Sequence, residues 1–286
     1  MAINSSDRNG RALEYAISNE LMNAGLQASF TPRAVSDNLR DTSKFTALPS
    51  SLRTQYQQSS AKIAQWIAGH FPNQPIVVDR LPDLANSVTD ISIQSASKTI
   101  DLSVKHNHHA LKHPRPYSLA QFCGYSKSSP EDVAHRASLD AIATAFRASA
   151  SSSSKFNLCA PAQITKLYDD VNKACKASVD SWALVDKSLP QKLFDFLVNT
   201  GFYKVIVDTR AASGFTVTLQ DYFLIPKVKT VSTTTNANRL VFNFDNGWEI
   251  NCRLHTASSS ISSAPKQLSL KFDAQRTAGT INEYSL

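Results

Sequence analysis

Apolar residues fall on one stripe over residues 8–25, where Leu13, Ala16, Ile17 and Leu21 recur near helical spacing. This pattern predicts an amphipathic helix, with Asp7 placed to cap its start. The same spacing returns over 50–70, with Ile63, Trp66 and Ile67 on one side. Then the period changes. Ile76-Val77-Val78 reads as a short apolar strand, and residues 88–93 and 99–105 alternate polar with apolar. The polar QSASK between those two runs predicts a hairpin. Pro114 and Pro116 stop any further strand. A short helix is predicted over 118–124, with Gly124 after its end. Ser129-Pro130-Glu131-Asp132 carries a capping serine, a proline at the first helical position and acids in the first turn, so a third long helix is predicted from there to about Phe146. Ala148–Ser154 is serine and alanine only and reads as a linker or loop. Helices are predicted at 161–178 and 189–199. After Phe202 the pattern turns to strands, at 203–207, 215–219, 240–244, 248–254 and 268–272, with a further β-like stretch over 228–235. The fold class expected is α/β, a mixed central sheet flanked by helices, with a β-rich C-terminal region. The expected division is 1–147, a serine-rich connection at 148–160, and 161–286.

Composition narrows the function. Hydrophobic residues make up 42% and charged residues 19% of 286, which excludes a disordered chain. No apolar run approaches the length of a membrane span, so no membrane partner is expected. The polar N-terminus carries no export signal, and a cytoplasmic location is the expectation. Cys123, Cys159, Cys175 and Cys252 lie far apart with no C-x-x-C pair, which argues against a cysteine zinc site or a disulfide framework. Lys and Arg number 30 against 23 acids, a formal net charge of +7. A basic chain suits polyanionic partners such as nucleic acid. The stretch 98–115 concentrates this charge: Lys98, Lys105, Lys112 and Arg115 face only Asp101, with four histidines interspersed.

Strand parity brings chemistry together on the hairpin. Ile100, Leu102 and Val104 share one face, so Asp101, Ser103 and Lys105 share the other. On the preceding strand Asp90 and Ser92 point with the polar group. A tight turn centred on Ala96-Ser97 places Asp90 opposite Ser103, with directly opposed Cβ atoms roughly 5 Å apart. Two carboxylates beside a lysine can hold a divalent cation next to a phosphate, and Mg²⁺ suits carboxylate oxygens. The plainer alternative is a solvated hairpin face with weak ion pairs.

An acid on one strand, followed about a dozen residues later by a strand ending in x-x-Lys, resembles the PD-(D/E)XK nuclease superfamily. Here the pieces are Val88-Thr89-Asp90-Ile91 and Asp101-Leu102-Ser103-Val104-Lys105. KHNHHALKHPRP, from Lys105 to Pro116, resembles type II restriction endonucleases of the HaeIII kind, which cut GGCC. NGRALEYAI, with Glu14, resembles the opening helix of such enzymes. The resemblance covers residues 9–125. It implies a restriction-endonuclease-like core within 1–147, Mg²⁺ as cofactor, double-stranded DNA as substrate and a matching methyltransferase in a restriction-modification system. A palindromic site suits a homodimer. The segment 161–286 is then expected to contribute DNA binding.

One position departs from the superfamily pattern: Ser103 stands where an acid is usual. The resemblance implies Asp90, Asp101, Ser103, Lys105 and Glu14 as catalytic residues, with Asp90, Asp101 and Glu14, in that order, as metal-binding acids. Glu131 is a further candidate acid, or simply a favourable charge at a helix start. Gln121 with Tyr125 resembles the Q-x-x-x-Y element of some members, or Gln121 closes a capping box on Ser118. The run of histidines is contiguous, unlike the spread residues of a ββα-metal nuclease, and has no partner pair for zinc. Asn107, His108, His109 and Lys112 are expected to meet DNA. Arg115 is either a guanine reader or a phosphate contact. Lys227, Lys229, Arg239, Arg253 and His255 line a DNA cleft or are scattered surface cations, and Trp182 and Trp248 read as core.

Overall fold

The structure, a computed structural model, describes residues 5–82, 88–150, 153–212 and 214–286. In chain order its elements are α1 (Ser5–Asn23), β1 (Ala28–Phe30), α2 (Pro32–Thr46), α3 (Ser50–His70), β2 (Ile76–Arg80), β3 (Ile91–Gln94) and β4 (Thr99–His106). Four helices follow: α4 (Leu119–Phe122), α5 (Pro130–Ser149), α6 (Pro161–Val185) and α7 (Leu189–Val198). Then come β5 (Tyr203–Asp208), β6 (Thr216–Asp221), β7 (Val231–Asn236), β8 (Arg239–Phe244), β9 (Glu249–Thr256), β10 (Leu270–Ala278) and β11 (Asn282–Ser285). The α/β class and the β-rich C-terminal region are as expected. No described helix is long and apolar enough to cross a membrane.

The chain forms two compact units that interleave in sequence. The first comprises Met1–His109, Thr200–Ile225 and Ile281–Leu286; the second comprises Ala110–Asn199 and Pro226–Thr280. The stretch 148–160 therefore falls inside the second unit rather than between units. Ala148 and Ser149 finish α5, while 151–152 lie outside the described residues.

Among the described residues, the first unit holds a seven-stranded mixed sheet in the order β1-β2-β3-β4-β5-β6-β11. β1 runs parallel to β2, and β4 parallel to β5; the other neighbours are antiparallel. The apolar stripe of α1 (Leu13, Ile17 and Leu21) joins Ile63 and Ile67 of α3 in one core with Ile91, Ile93, Ile100, Leu102 and Val205. Each such side chain, fully buried, contributes about 1.5–3 kcal/mol. This core fixes which way β3 and β4 face. α1 is already helical at Ser5, so Asp7 does not precede its helix; the Asp7 side chain lies outside the described residues. α2 was not predicted. It starts where Thr31 accepts a 3.1 Å hydrogen bond from the Ala34 amide and Pro32 occupies the first turn.

The second unit contains α4–α7 and a four-stranded antiparallel sheet in the order β10-β9-β8-β7. Phe194 of α7 meets Phe244 and Trp248 edge-on, with centroids 5.0 and 5.4 Å away. Trp182 and Trp248 are buried, as expected of core residues.

Candidate active site

The β3–β4 register pairs Ile91 with Leu102, Ser92 with Asp101 and Ile93 with Ile100. The ladder stops at Ile91, so the expected placement of Asp90 directly opposite Ser103 is not part of it. The strand itself is shorter than expected: Val88, Thr89 and Asp90 precede it. The Asp90 amide still donates to the Leu102 carbonyl at 2.7 Å. Past the last ladder pair, the Asp90 carboxylate supplies the acceptor that the Val104 amide needs, through Oδ2 at 2.6 Å. The same oxygen lies 3.5 Å from Lys105 Nζ. Both side chains stay partly accessible, at 16% for Asp90 and 26% for Lys105, so a ligand can reach the pair.

Glu14 approaches from α1, where it is almost fully buried. Its Oε2 accepts from Arg80 at 2.6 Å and from Arg11 at 3.2 Å. Burial first, and then the charge of Asp90, push the Glu14 carboxyl above the ordinary carboxylate range, while Arg80 and Arg11 pull against them. Glu14 and Asp90 therefore feel each other's charge. Arg80 is a buried hub. It also reaches Asp41 at 2.9 Å and Asn38 at 3.2 Å, both on α2. Burial would raise the Asp41 carboxyl, but hydrogen bonds from Arg40 and Lys44 and the charge of Arg80 outweigh it and hold it at about 2. Sequence reading missed Arg80, Asp41 and Asn38. The available signal was Arg80 two residues past the apolar run Ile76–Val78, in phase with the buried Ile76 and Val78.

Ser103 is buried between Leu102 and Val104. Asp101 sits opposite Ser92, a step nearer the turn than Asp90, and its Oδ1 is buried without a hydrogen bond. The basic stretch divides. Asn107 leaves the strand with φ 55°, a left-handed conformation that asparagine tolerates. Its side chain brackets the β5–β6 loop: Oδ1 accepts from the Thr209 amide at 2.7 Å and Nδ2 donates to Thr209 Oγ1 at 3.1 Å. That role is structural, and it occupies the amide expected to meet DNA. His106 lies 3.0 Å from the same hydroxyl, and burial lowers its pKa. His108 is half-buried. His109 is exposed, and its carbonyl accepts from buried Lys204 at 2.6 Å.

Lys112, Arg115, Gln121, Tyr125 and Glu131 belong to the second unit. Lys112 Nζ stands 4.1 Å from the centre of the Phe196 ring, and burial lowers its pKa to about 8. Gln121 donates to Asp132 rather than closing a box on Ser118. Tyr125 packs against Trp182 at 5.2 Å, and Glu131 lies in the first turn of α5. Of the C-terminal cations, Arg239 bonds Asn251 at 3.0 Å and Arg253 faces Asp273 at 3.4 Å.

The arrangement offers a fixed carboxylate, an adjacent ammonium and a second buried acid within electrostatic reach. That set can bind a hard cation and a phosphate together. No protein-family model, curated protein or solved structure matches the chain, so any activity must be argued from these residues.

Proposed function

We propose that this protein is a Mg²⁺-dependent endodeoxyribonuclease of the type II restriction kind, cutting duplex DNA at a short specific site, GGCC by resemblance. The observation that carries the reading is the Asp90 carboxylate, fixed by the Val104 amide and facing Lys105 Nζ. The donor set fits magnesium, which is commonly held by one or two carboxylates together with substrate phosphate. Asp90 and Glu14 are the acids that would hold it. Bound there, the ion supplies charge neutralisation at the phosphate and a more acidic water. Lys105 holds its ammonium where charge develops on the attacked phosphate and steadies the attacking water. Asp90 keeps that ammonium oriented. Duplex DNA and a second copy of the chain, related by a two-fold axis, are the partners this reading implies. A cytoplasmic location beside a protecting methyltransferase follows from the same reading.

A second reading has its own support. Ser103 stands where an acid is usual, and Glu14 is already engaged by Arg80. Both suit a non-catalytic DNA-binding protein on the same fold. Incubation with plasmid DNA, with Mg²⁺ or with EDTA, separates these readings. Discrete Mg²⁺-dependent fragments are expected. Smearing or junction-selective cuts indicate a structure-specific repair nuclease, and intact DNA with a gel shift indicates the binder.

A further inference from the structure

Within the second unit, the segment Ser262–Leu270 forms an open-sided hollow of about 300 Å³ with Arg115 and Tyr117, and Arg115 and Lys266 are exposed at it. Two cations line it, Arg115 and Lys266, with the hydroxyls of Ser262 and Ser269 and no acidic side chain among the described residues. Some cations of this unit are matched by carboxylates, such as Arg136 by Asp132 at 2.8 Å and Lys166 by Asp170 at 2.8 Å. Arg115 and Lys266 have no such match among the described residues. A third cation stands behind the wall. Arg147 of α5 donates through Nε to the Ser262 carbonyl at 2.8 Å and through a terminal nitrogen to the Lys266 carbonyl. It spends its hydrogen bonds on backbone and holds both ends of the Ser262–Lys266 turn. The cavity wall is thus fixed before any ligand arrives. Leu268 and Leu270 make the apolar side, and Tyr117, buried, anchors its hydroxyl on the Leu139 carbonyl at 3.3 Å.

Two cations and two hydroxyls line the hollow with no lining carboxylate, while Asp140 acts on the wall at Tyr117, so the field is positive on the side of Arg115 and Lys266. An anion with several acceptor oxygens would satisfy it, and a guanidinium matches phosphate in a bidentate way. The volume sits at the lower end of small-ligand pockets, roughly 300–1,000 Å³. We propose that this cavity binds the phosphate of a nucleotide, with Arg115 and Lys266 on its charge, Ser262 and Ser269 on its oxygens, and the Leu268–Leu270 wall against the sugar. The nucleotide is either free or part of a DNA backbone. The inference does not rest on the nuclease reading, because the cavity uses none of Glu14, Asp90 or Lys105.

The test is calorimetric titration of the full chain, in EDTA at low salt, with dAMP, deoxyadenosine and inorganic phosphate, beside duplex binding by anisotropy. The variants are Arg115→Gln, Lys266→Gln and the pair together, each checked by circular dichroism. Lys173→Gln, whose ammonium pairs with Asp169 on an exposed face, is the control. A free nucleotide is the ligand if dAMP and phosphate bind, deoxyadenosine does not, and the double variant loses at least about tenfold in affinity, or 1.4 kcal/mol. A backbone phosphate is the ligand if dAMP does not bind, while the double variant weakens duplex binding about tenfold and lowers the salt slope by about one or two. If the double variant changes neither, or if deoxyadenosine binds as well as dAMP, the proposal is overturned. Absence of plasmid cleavage by the unaltered protein, with phosphate binding intact, would count against the nuclease reading alone.

Discussion

Replacing Arg80 with methionine tests the electrostatics beneath the candidate site. The Arg80 guanidinium is 1% exposed and touches Glu14 at 2.6 Å and Asp41 at 2.9 Å. Methionine keeps much of the volume and removes the charge. Breaking a buried ion pair by deleting one partner costs about 3–5 kcal/mol, because the other charge stays buried. Asp41 retains Arg40 and Lys44, so the lower end, about 3 kcal/mol, is expected, nearly all of it from Glu14. The pH dependence follows from the sign of the Glu14 shift. Its folded pKa lies above the unfolded value, and losing Arg80 raises it further. The folded state then binds the proton more tightly than the unfolded chain. The penalty is full above the folded pKa and fades as pH falls toward the unfolded value near 4.3. Urea unfolding followed by circular dichroism, in EDTA at pH 8 and pH 4.5, reads this directly. The double variant Glu14→Gln with Arg80→Met should be more stable at pH 8 than Arg80→Met alone, because no buried charge is orphaned. An equal loss at both pH values, with simple additivity in the double variant, would refute the account of Arg80 as counter-charge and leave only a packing role.

Three further outcomes follow from the same geometry. Lys105→Ala should abolish cleavage while keeping duplex binding within a few-fold, since binding rests on many phosphates; a variant cutting near the wild-type rate removes Lys105 from the site. Asp90→Asn and Glu14→Gln should each lower the cleavage rate by about 100-fold or more, with partial recovery in Mn²⁺, whereas Asp101→Asn should stay within about tenfold; a dead Asp101→Asn beside an active Glu14→Gln reverses the assignment of the second acid. His135 is buried between Ser178 Oγ and the Pro116 carbonyl, both 2.9 Å away, and because the carbonyl only accepts, Nε2 carries a proton. Burial lowers its pKa, so its contribution is complete above about pH 6.5 and is lost as pH falls below that. His135→Gln should therefore flatten the fall in stability between pH 7 and pH 5, and an unchanged slope would assign that fall to other groups.

Elements with an apolar period were legible in the sequence; those held by polar contacts were not. The stripe Leu13, Ala16, Ile17 and Leu21 marks α1, and all four residues are buried. The turn at Ala96-Ser97 fixes the hairpin register to the residue. α2 shows the opposite case. Its buried positions are Ala34, Asn38 and Asp41, so no apolar stripe exists to detect, although Thr31-Pro32 is a recognisable start. The helix packs through polar contacts to Arg80, which only the folded chain assembles. β11 is four exposed residues on a sheet edge and likewise has no burial pattern. α6 runs on to Val185, past the predicted end at 178, and its last residues, Leu184 and Val185, are 76% and 80% exposed. The division into units was hidden because β4 and β5 are parallel neighbours, while the intervening 107–202 contains the helices of the second unit.

The pairing of Asp90 with Lys105 could be read from parity and turn length, whereas the influence of Asp90 on Glu14 could not. Parity groups Asp90 with Asp101 only while Asp90 stands on the face of a strand. β3 begins at Ile91, so Asp90 lies just outside it, and its carboxylate turns into the ladder to take the Val104 amide. A side chain bound at the end of the β3–β4 ladder no longer belongs to either face. It becomes accessible to groups docked above that end, and α1 brings Glu14 there through the packing of Leu13 and Ile17, a tertiary event that strand periodicity does not encode. Asp101 stays within the ladder opposite Ser92. With Ser103 offering a neutral hydroxyl, the hairpin supplies one carboxylate suited to a metal, and the proposed second comes from the helix. A buried acid whose pKa is raised by burial and by a neighbouring carboxylate, as Glu14 is by Asp90, is poorly tolerated unless a cation sits near it. Arg80 fills that need for Glu14 from below. On the proposed reading Asp90 and Glu14 would hold a divalent ion, whose charge would relieve the same repulsion, so metal binding should weaken as pH falls and Glu14 takes up its proton.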